Sequence, residues 1–164
     1  MIYLYLGNYA ESHSDLAIMA MNTFLKDCQH TDGKIRGLAL RSLCSMKFSG
    51  SYEYIEPAIL EALKDTDPYV RKTAIMGCIK LFYLAPSKIK SNFFLWRKLF
   101  IFLESSVIDS LYALIKDSDT LVIANSIQAL NEILQEEGGI ATSTKMVVYL
   151  LNRIKVILFM FEQK

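Results

Sequence analysis

Three stretches of the chain repeat one spacing of apolar and polar positions: DGKIRGLALRSLCSM from Asp32, DPYVRKTAIMGCIKL from Asp67 and DTLVIANSIQALNEI from Asp119. Counting from the β-branched residue three places after each aspartate, offsets 0, 4, 8 and 11 select Ile35, Ala39, Leu43 and Met46 in the first copy. They select Val70, Ala74, Cys78 and Leu81 in the second, and Val122, Ser126, Leu130 and Ile133 in the third. These offsets trace one stripe of an α-helix. The small residue at offset 4 lets a neighbouring helix come close. The leading aspartate fits an N-cap, where a short acidic side chain accepts from free first-turn amides and stabilises the helix by about 1 kcal/mol. Pro68 then takes the first helical position, where its missing N–H costs nothing.

A second apolar-periodic run precedes each copy, over 15–27, 52–65 and 106–116, and closes on FLKD, ALKD or LIKD at Asp27, Asp65 and Asp117. The unit is therefore helix, short turn, capped helix. From Lys26 to Lys64 is 38 residues (64 − 26), the period of a HEAT or armadillo unit. From Lys64 to Lys116 is 52 (116 − 64), and the 14 extra residues (52 − 38) fall between Ala85 and Ser105. Met1–Ala10 reads as the tail of a preceding capped helix. Pro57 is expected to split or kink its helix near Glu56. Gly138-Gly139 is expected to end the helix that opens at Asp119, and a last helix to run from about Ser143 to Phe161.

The pattern predicts an all-α chain, a HEAT/armadillo-like α-solenoid wound as a right-handed superhelix of helix pairs, roughly three to four repeats. It would form a single segment over 1–164, with a divergent insert at 86–105 and a divergent end at 156–164. Such units bury their apolar stripe only against neighbours. MIYLYL at one end and VILFMF at the other carry no polar cap, so the sequence reads as a piece of a longer array.

Composition agrees. Apolar residues make up 52% and charged residues 21% of 164, which disfavours disorder, and three prolines with seven glycines are few for an all-β fold. A net charge of +1 without a basic block disfavours nucleic acid as a partner. Cys28, Cys44 and Cys78 form no CxxC pair and read as reduced core thiols of a cytosolic protein. MIYLYLGNYA has no basic n-region, and the apolar NFFLWRKLFIFL is interrupted by Arg97 and Lys98 and is too short to span a bilayer.

Little points to catalysis. His13 and His30 have no metal-ligand partner at helical spacing and read as solvated turn residues. EEGGIATSTK lacks the phosphate-loop spacing and reads as a turn. Arg36 and Arg71 share an offset that Ile123 breaks in the third copy, and pairing with a neighbouring repeat's cap aspartate is the expected role, binding of a partner's carboxylate the alternative. KIKSNFFLWRKLFIF mixes bases and aromatics and leaves open an added helix, a membrane-surface segment or a wrongly joined exon. No enzyme, cofactor or metal is expected.

IYLYLGNYAESHSDLAIMAMNTFLKDC, IRGLALRSLCSM and EALKDTDPYVRKTAIMGCIKL, in this order and spacing, resemble the trunk of β-adaptins, the large β subunits of clathrin-type adaptor complexes. RGLALRSLCS and NEILQEEGG further resemble the β branch found in the fourth adaptor complex. The resemblance covers about residues 2–83 and 106–153 and departs at about 87–105 and after Lys155. It implies an incomplete trunk fragment with a non-enzymatic scaffold role in a heterotetramer that sorts cargo into vesicles at trans-Golgi network and endosomal membranes. Its implied partners are a second large subunit and the medium subunit, with peripheral attachment to the cytosolic membrane face through the complex. The resemblance also implies an Arf-class GTPase docking on DLAIMAMN through Ile18 and Met21. An unrelated helical-repeat scaffold, such as a nuclear transport receptor or a phosphatase regulatory subunit, is the alternative.

Overall fold

The computed structural model describes residues 5, 12–46, 52–84, 106–135, 139–140 and 142–162. The expectations for Met1–Ala10 as a helix tail (apart from Tyr5, which is helical), for the insert at 86–105 and for Gly138 lie outside them, as do the side chains of 156–164. Among the described residues the secondary structure is helical, without strands: α1 (Ser14–Asp27), α2 (Gly33–Leu43), α3 (Tyr52–Ala62), α4 (Pro68–Leu84), α5 (106–114), α6 (Thr120–Ile133) and α7 (Thr144–Glu162). The chain divides into two compact units, Met1–Ile133 and Leu134–Lys164.

In the first unit the three repeated stretches are helices α2, α4 and α6, each opened by its aspartate. The Asp32 side chain accepts from Lys34 N at 2.9 Å, Asp67 Oδ1 from Tyr69 N at 2.8 Å, and Asp119 Oδ1 from Leu121 N at 2.8 Å and Val122 N at 3.1 Å. α1 has no side-chain cap bond, but Asp15 in its first turn and Lys26 in its last complement the helix dipole. α3 runs unbroken through Pro57 to Ala62, so the expected split is absent.

α2 packs on α4 and α4 on α6, forming one layer, while α1 packs on α2 and α3 on α4 from the other side. This is the stacking of a HEAT/armadillo-like solenoid. Ala39, Ala74 and Ser126, the small residues at offset 4, are all fully buried. Ser126 donates its buried hydroxyl to the Val122 and Ile123 carbonyls at 2.8 and 3.0 Å, so it carries no unmet donor. The rest of the stripe is buried except Ile35 and Leu81, which are half-buried. α1 contributes Ala17, Met21 and Phe24 to the core, and α3 contributes Ile55 and Ile59. Burying side chains of this size stabilises by about 1.5–3 kcal/mol each before entropy is counted.

α2 and α4 approach through glycine. A methyl on Gly37 would overlap the Tyr69 ring, and one on Gly33 would overlap the Asp67 carboxylate. The cap of one repeat thus rests on the first turn of the previous one.

In the second unit, α7 is capped by Ser143, whose Oγ accepts from Met146 N at 3.2 Å. Gly139 has φ +89°, a left-handed value that suits glycine, and its N–H reaches Leu134 O at 2.9 Å. The helix expected to last until Gly138-Gly139 ends earlier, at Ile133.

Candidate interaction surface

The turns that join the helices of a repeat carry the most ordered polar chemistry of the first unit. Arg36, in the first turn of α2, places Nε 2.8 Å from Asp65 Oδ2 and Nη2 2.7 Å from Asp65 Oδ1. Its Nη1 donates to the carbonyls of His30 and Thr31 at 2.8 and 2.9 Å. Arg71 repeats the arrangement one unit along: Nε and Nη2 hold Asp117 at 2.7 and 2.8 Å, and Nη1 donates to the Asp65 and Thr66 carbonyls at 2.7 and 3.0 Å. Each guanidinium therefore clamps its own turn and grips the carboxylate of the next. The planar fork of arginine makes this possible, whereas an ammonium would not reach all four acceptors.

The partner carboxylate has two duties. Asp65 Oδ1 also accepts from Asp67 N at 2.8 Å, and Asp117 Oδ1 from Asp119 N at 2.8 Å, which fixes each turn just ahead of the cap. The arginines were expected to meet cap aspartates; they meet instead the aspartate two residues before each cap. Burial pushes the Asp65 and Asp117 carboxyls up, but the guanidinium and the turn amide pull harder and hold both below their ordinary value. The hydrogen bond to Asp65 raises Arg36 above its ordinary value.

His30 occupies the same position in the first copy. Its Nδ1 accepts from Asp32 N at 3.0 Å, the bond that Asp65 and Asp117 make further along. The equivalent residues are thus His30, Asp65 and Asp117, and not the Asp27, Asp65 and Asp117 of the LKD alignment. The first turn holds three more residues than the second: Asp27 to Asp32 is five steps, Asp65 to Asp67 is two. His30 is exposed, as expected, but its imidazole also supports the turn. The ladder has no guanidinium at Ile123, which is buried.

Beside the first rung lies a groove of about 950 Å³, with Leu25, Leu40, Pro57 and Leu60 among its apolar lining and Arg36 with Asp65 on its polar side. Of its titratable groups, Arg36 and Asp65 are committed to each other. The Cys28 thiol, which also faces it, is pushed up to about 12 by burial and then by the nearby Asp27 and Glu61 charges, which favours its protonated form. Burial likewise pushes Cys44 and Cys78 up to about 12. All three cysteines are free, Cys28 half-buried and the other two buried. Among the described residues no group of His, Cys, Asp and Glu is arranged to hold a metal ion.

Ile18 and Met21 part company in the structure. Ile18 is 50% exposed on α1 beside exposed Leu16 and Met19, whereas Met21 is 2% exposed and belongs to the core with Ala17 and Phe24. The two do not present one apolar face to a partner.

Against known proteins, the family model described as the Adaptin N terminal region matches residues 1–163. AP-4 complex subunit beta-1 of Mus musculus is 37% identical over 155 residues, covering 94% of this chain and 19% of the relative. Beta-adaptin-like protein A of Arabidopsis thaliana is 37% identical over 166 residues, with 94% and 18% covered. AP-1 complex subunit beta-1 of Homo sapiens is 40% identical over 135 residues, with 82% and 13% covered. The chain spans less than a fifth of the length of these relatives. With helix pairs stacked on buried seams and this match across nearly its whole length, the chain belongs to the adaptin family, and the relatives it matches are β-adaptins.

Proposed function

We propose that the chain is part of the scaffold of an adaptor-complex β subunit, serving vesicle-mediated intracellular protein transport. The observation that carries this reading is the adaptin match over residues 1–163 together with relatives named as β subunits of AP complexes. It favours the adaptor role over an unrelated nuclear transport or phosphatase scaffold. The fold suits a scaffold: its Arg36–Asp65 and Arg71–Asp117 pairs tie the turn of one repeat to that of the next.

In this reading the chain works in a heterotetramer with a second large subunit and a medium subunit, and sorts cargo at trans-Golgi network and endosomal membranes. Membrane attachment is peripheral, on the cytosolic face, through the assembled complex. Among the described residues no helix is long and apolar enough to cross a membrane. An Arf-class GTPase would dock on α1, where the exposed Ile18 makes the contact and the buried Met21 holds the helix from within.

Affinity purification of the tagged chain from cells, with the partners identified by mass spectrometry, tests the proposal. Adaptor subunits, those of the fourth complex foremost, are the expected partners. Recovery of nuclear transport cargo or a phosphatase catalytic subunit in their place overturns it.

A further inference from the structure

A second surface stands out on the layer α2–α4–α6. Offsets −1, 3, 6 and 10 fall together on a stripe well away from the buried one. They give Lys34, Leu38, Arg41 and Ser45 on α2, then Tyr69, Thr73, Met76 and Lys80 on α4, then Leu121, Asn125, Gln128 and Glu132 on α6. Exposure follows the same lattice. Leu38 is 47% exposed, Tyr69 37%, Met76 43% and Leu121 58%, and Lys34, Arg41 and Lys80 are exposed beside them. Two contacts join neighbouring rows on this side: Tyr69 lies over Gly37, and Lys80 Nζ donates to Ser45 Oγ at 3.1 Å.

The charge of this face is one-sided. The helical spans of α2 and α4 contain no aspartate or glutamate, and that of α6 contains only Glu132. The cap aspartates ahead of them are occupied with first-turn amides. Arg36 and Arg71 are consumed by the ladder, whereas Lys34, Arg41 and Lys80 meet no carboxylate among the described residues. The exposed charges described on α1 and α3 are mixed, Asp15 and Glu61 against Lys26. Among the described residues of α2, α4 and α6, three cations without a carboxylate partner, one glutamate and four exposed apolar side chains thus share one face.

We propose that the α2–α4–α6 face is a docking surface for an acidic amphipathic segment of a partner protein. Packed helices lie about 8–10 Å apart, so the three rows span about 16–20 Å. A helical segment of about 12 residues covers that length at 1.5 Å per residue. Apolar residues repeated along one stripe of that segment would meet Leu38, Tyr69 and Leu121. Glutamates flanking that stripe would meet Lys34, Arg41 and Lys80. Three cations interrupted by four large apolar groups suit a peptide better than a phosphate backbone, which would leave the apolar groups unused.

The test uses the whole chain and a labelled synthetic helix of about 15 residues, with leucine at every third or fourth position and glutamate between. A control peptide replaces glutamate with lysine. Binding of the acidic peptide that weakens with salt, and at least about tenfold in Lys34→Glu with Arg41→Glu, is expected. Leu38→Ser with Tyr69→Ser, which adds no charge, should weaken it as much at unchanged salt dependence. Lys34→Gln with Arg41→Gln, whose helicity is checked by circular dichroism, guards against misfolding. Equal binding of the basic control, or indifference to all three variants, overturns the proposal. So does binding to anionic vesicles or RNA while the acidic peptide is ignored. Recovery of adaptor subunits by Lys34→Glu with Arg41→Glu separates this surface from the adaptor reading.

Discussion

Arg71 and Asp117 meet fork to fork, Nε to Oδ2 at 2.7 Å and Nη2 to Oδ1 at 2.8 Å, across 46 residues of sequence. Their side chains are 11% and 7% exposed, against 15% and 13% for Arg36 and Asp65. Removing one partner from such a pair leaves the other charged and poorly solvated. Arg71→Ala should therefore lower the unfolding free energy by about 2–3 kcal/mol in urea titrations. Arg36→Ala should cost less, because its pair is wetter. Equal or negligible losses would mean that the ladder does not stabilise the stack.

The same carboxylates set an acid limb. Asp65 and Asp117 titrate lower folded than unfolded, so the unfolded chain binds more protons in that window and stability falls with falling pH. Their contribution is complete above about pH 4, the unfolded value, and is lost as pH drops through the folded values. Glu56, raised by burial, works in the opposite sense and in a higher window, adding stability as pH falls from its folded value towards its unfolded one. Urea midpoints measured through this range should drop towards acid, and less steeply in the Arg36→Ala, Arg71→Ala double variant. An unchanged slope in that variant would contradict the assignment.

Gly37 and Tyr69 form a contact that tolerates no side chain on the glycine. Gly37→Val should destabilise by about 2 kcal/mol, an overpacking cost. In a Tyr69→Ala background the loss should shrink, because the obstructing ring is gone. A double-mutant cycle by chemical denaturation reads the coupling, and strict additivity would refute the contact.

If the proposed Arf docking on α1 holds, Ile18→Asp should abolish GTP-dependent Arf binding in the complete complex while leaving the fold intact, since Ile18 is half exposed. Met21→Asp should unfold α1 by burying a carboxylate among Ala17 and Phe24. Light scattering and circular dichroism separate the two outcomes. Retained Arf binding in Ile18→Asp removes that residue from the docking surface.

The repeat itself was legible because its signals are local. An aspartate followed by a stripe at offsets 0, 4, 8 and 11 needs only helix geometry, and α2, α4 and α6 begin where it places them. The small residue at offset 4 likewise foretold Ala39, Ala74 and Ser126 in the core. The register of the turns was harder to read. His30 replaces an aspartate by offering an imidazole nitrogen as acceptor, and residue identity hides that equivalence. Ile18 and Met21 lie three apart, a rotation of about 60° on a helix, and the core boundary runs between them. The end of α6 at Ile133 was missed because glycine at 138–139 is a strong stop signal, while the helix stops ahead of it.

Hydrogen exchange followed residue by residue on the purified chain tests the shared seam most directly. The account predicts that amides near Ala39–Leu43, Ala74–Ile79 and Ser126–Leu130 exchange slowest of the first unit, and that Arg71→Ala accelerates those of α4 and α6 together. Fast exchange in any one of the three stretches, at the rate of an unfolded peptide, would contradict the claim that the capped helices close one continuous core.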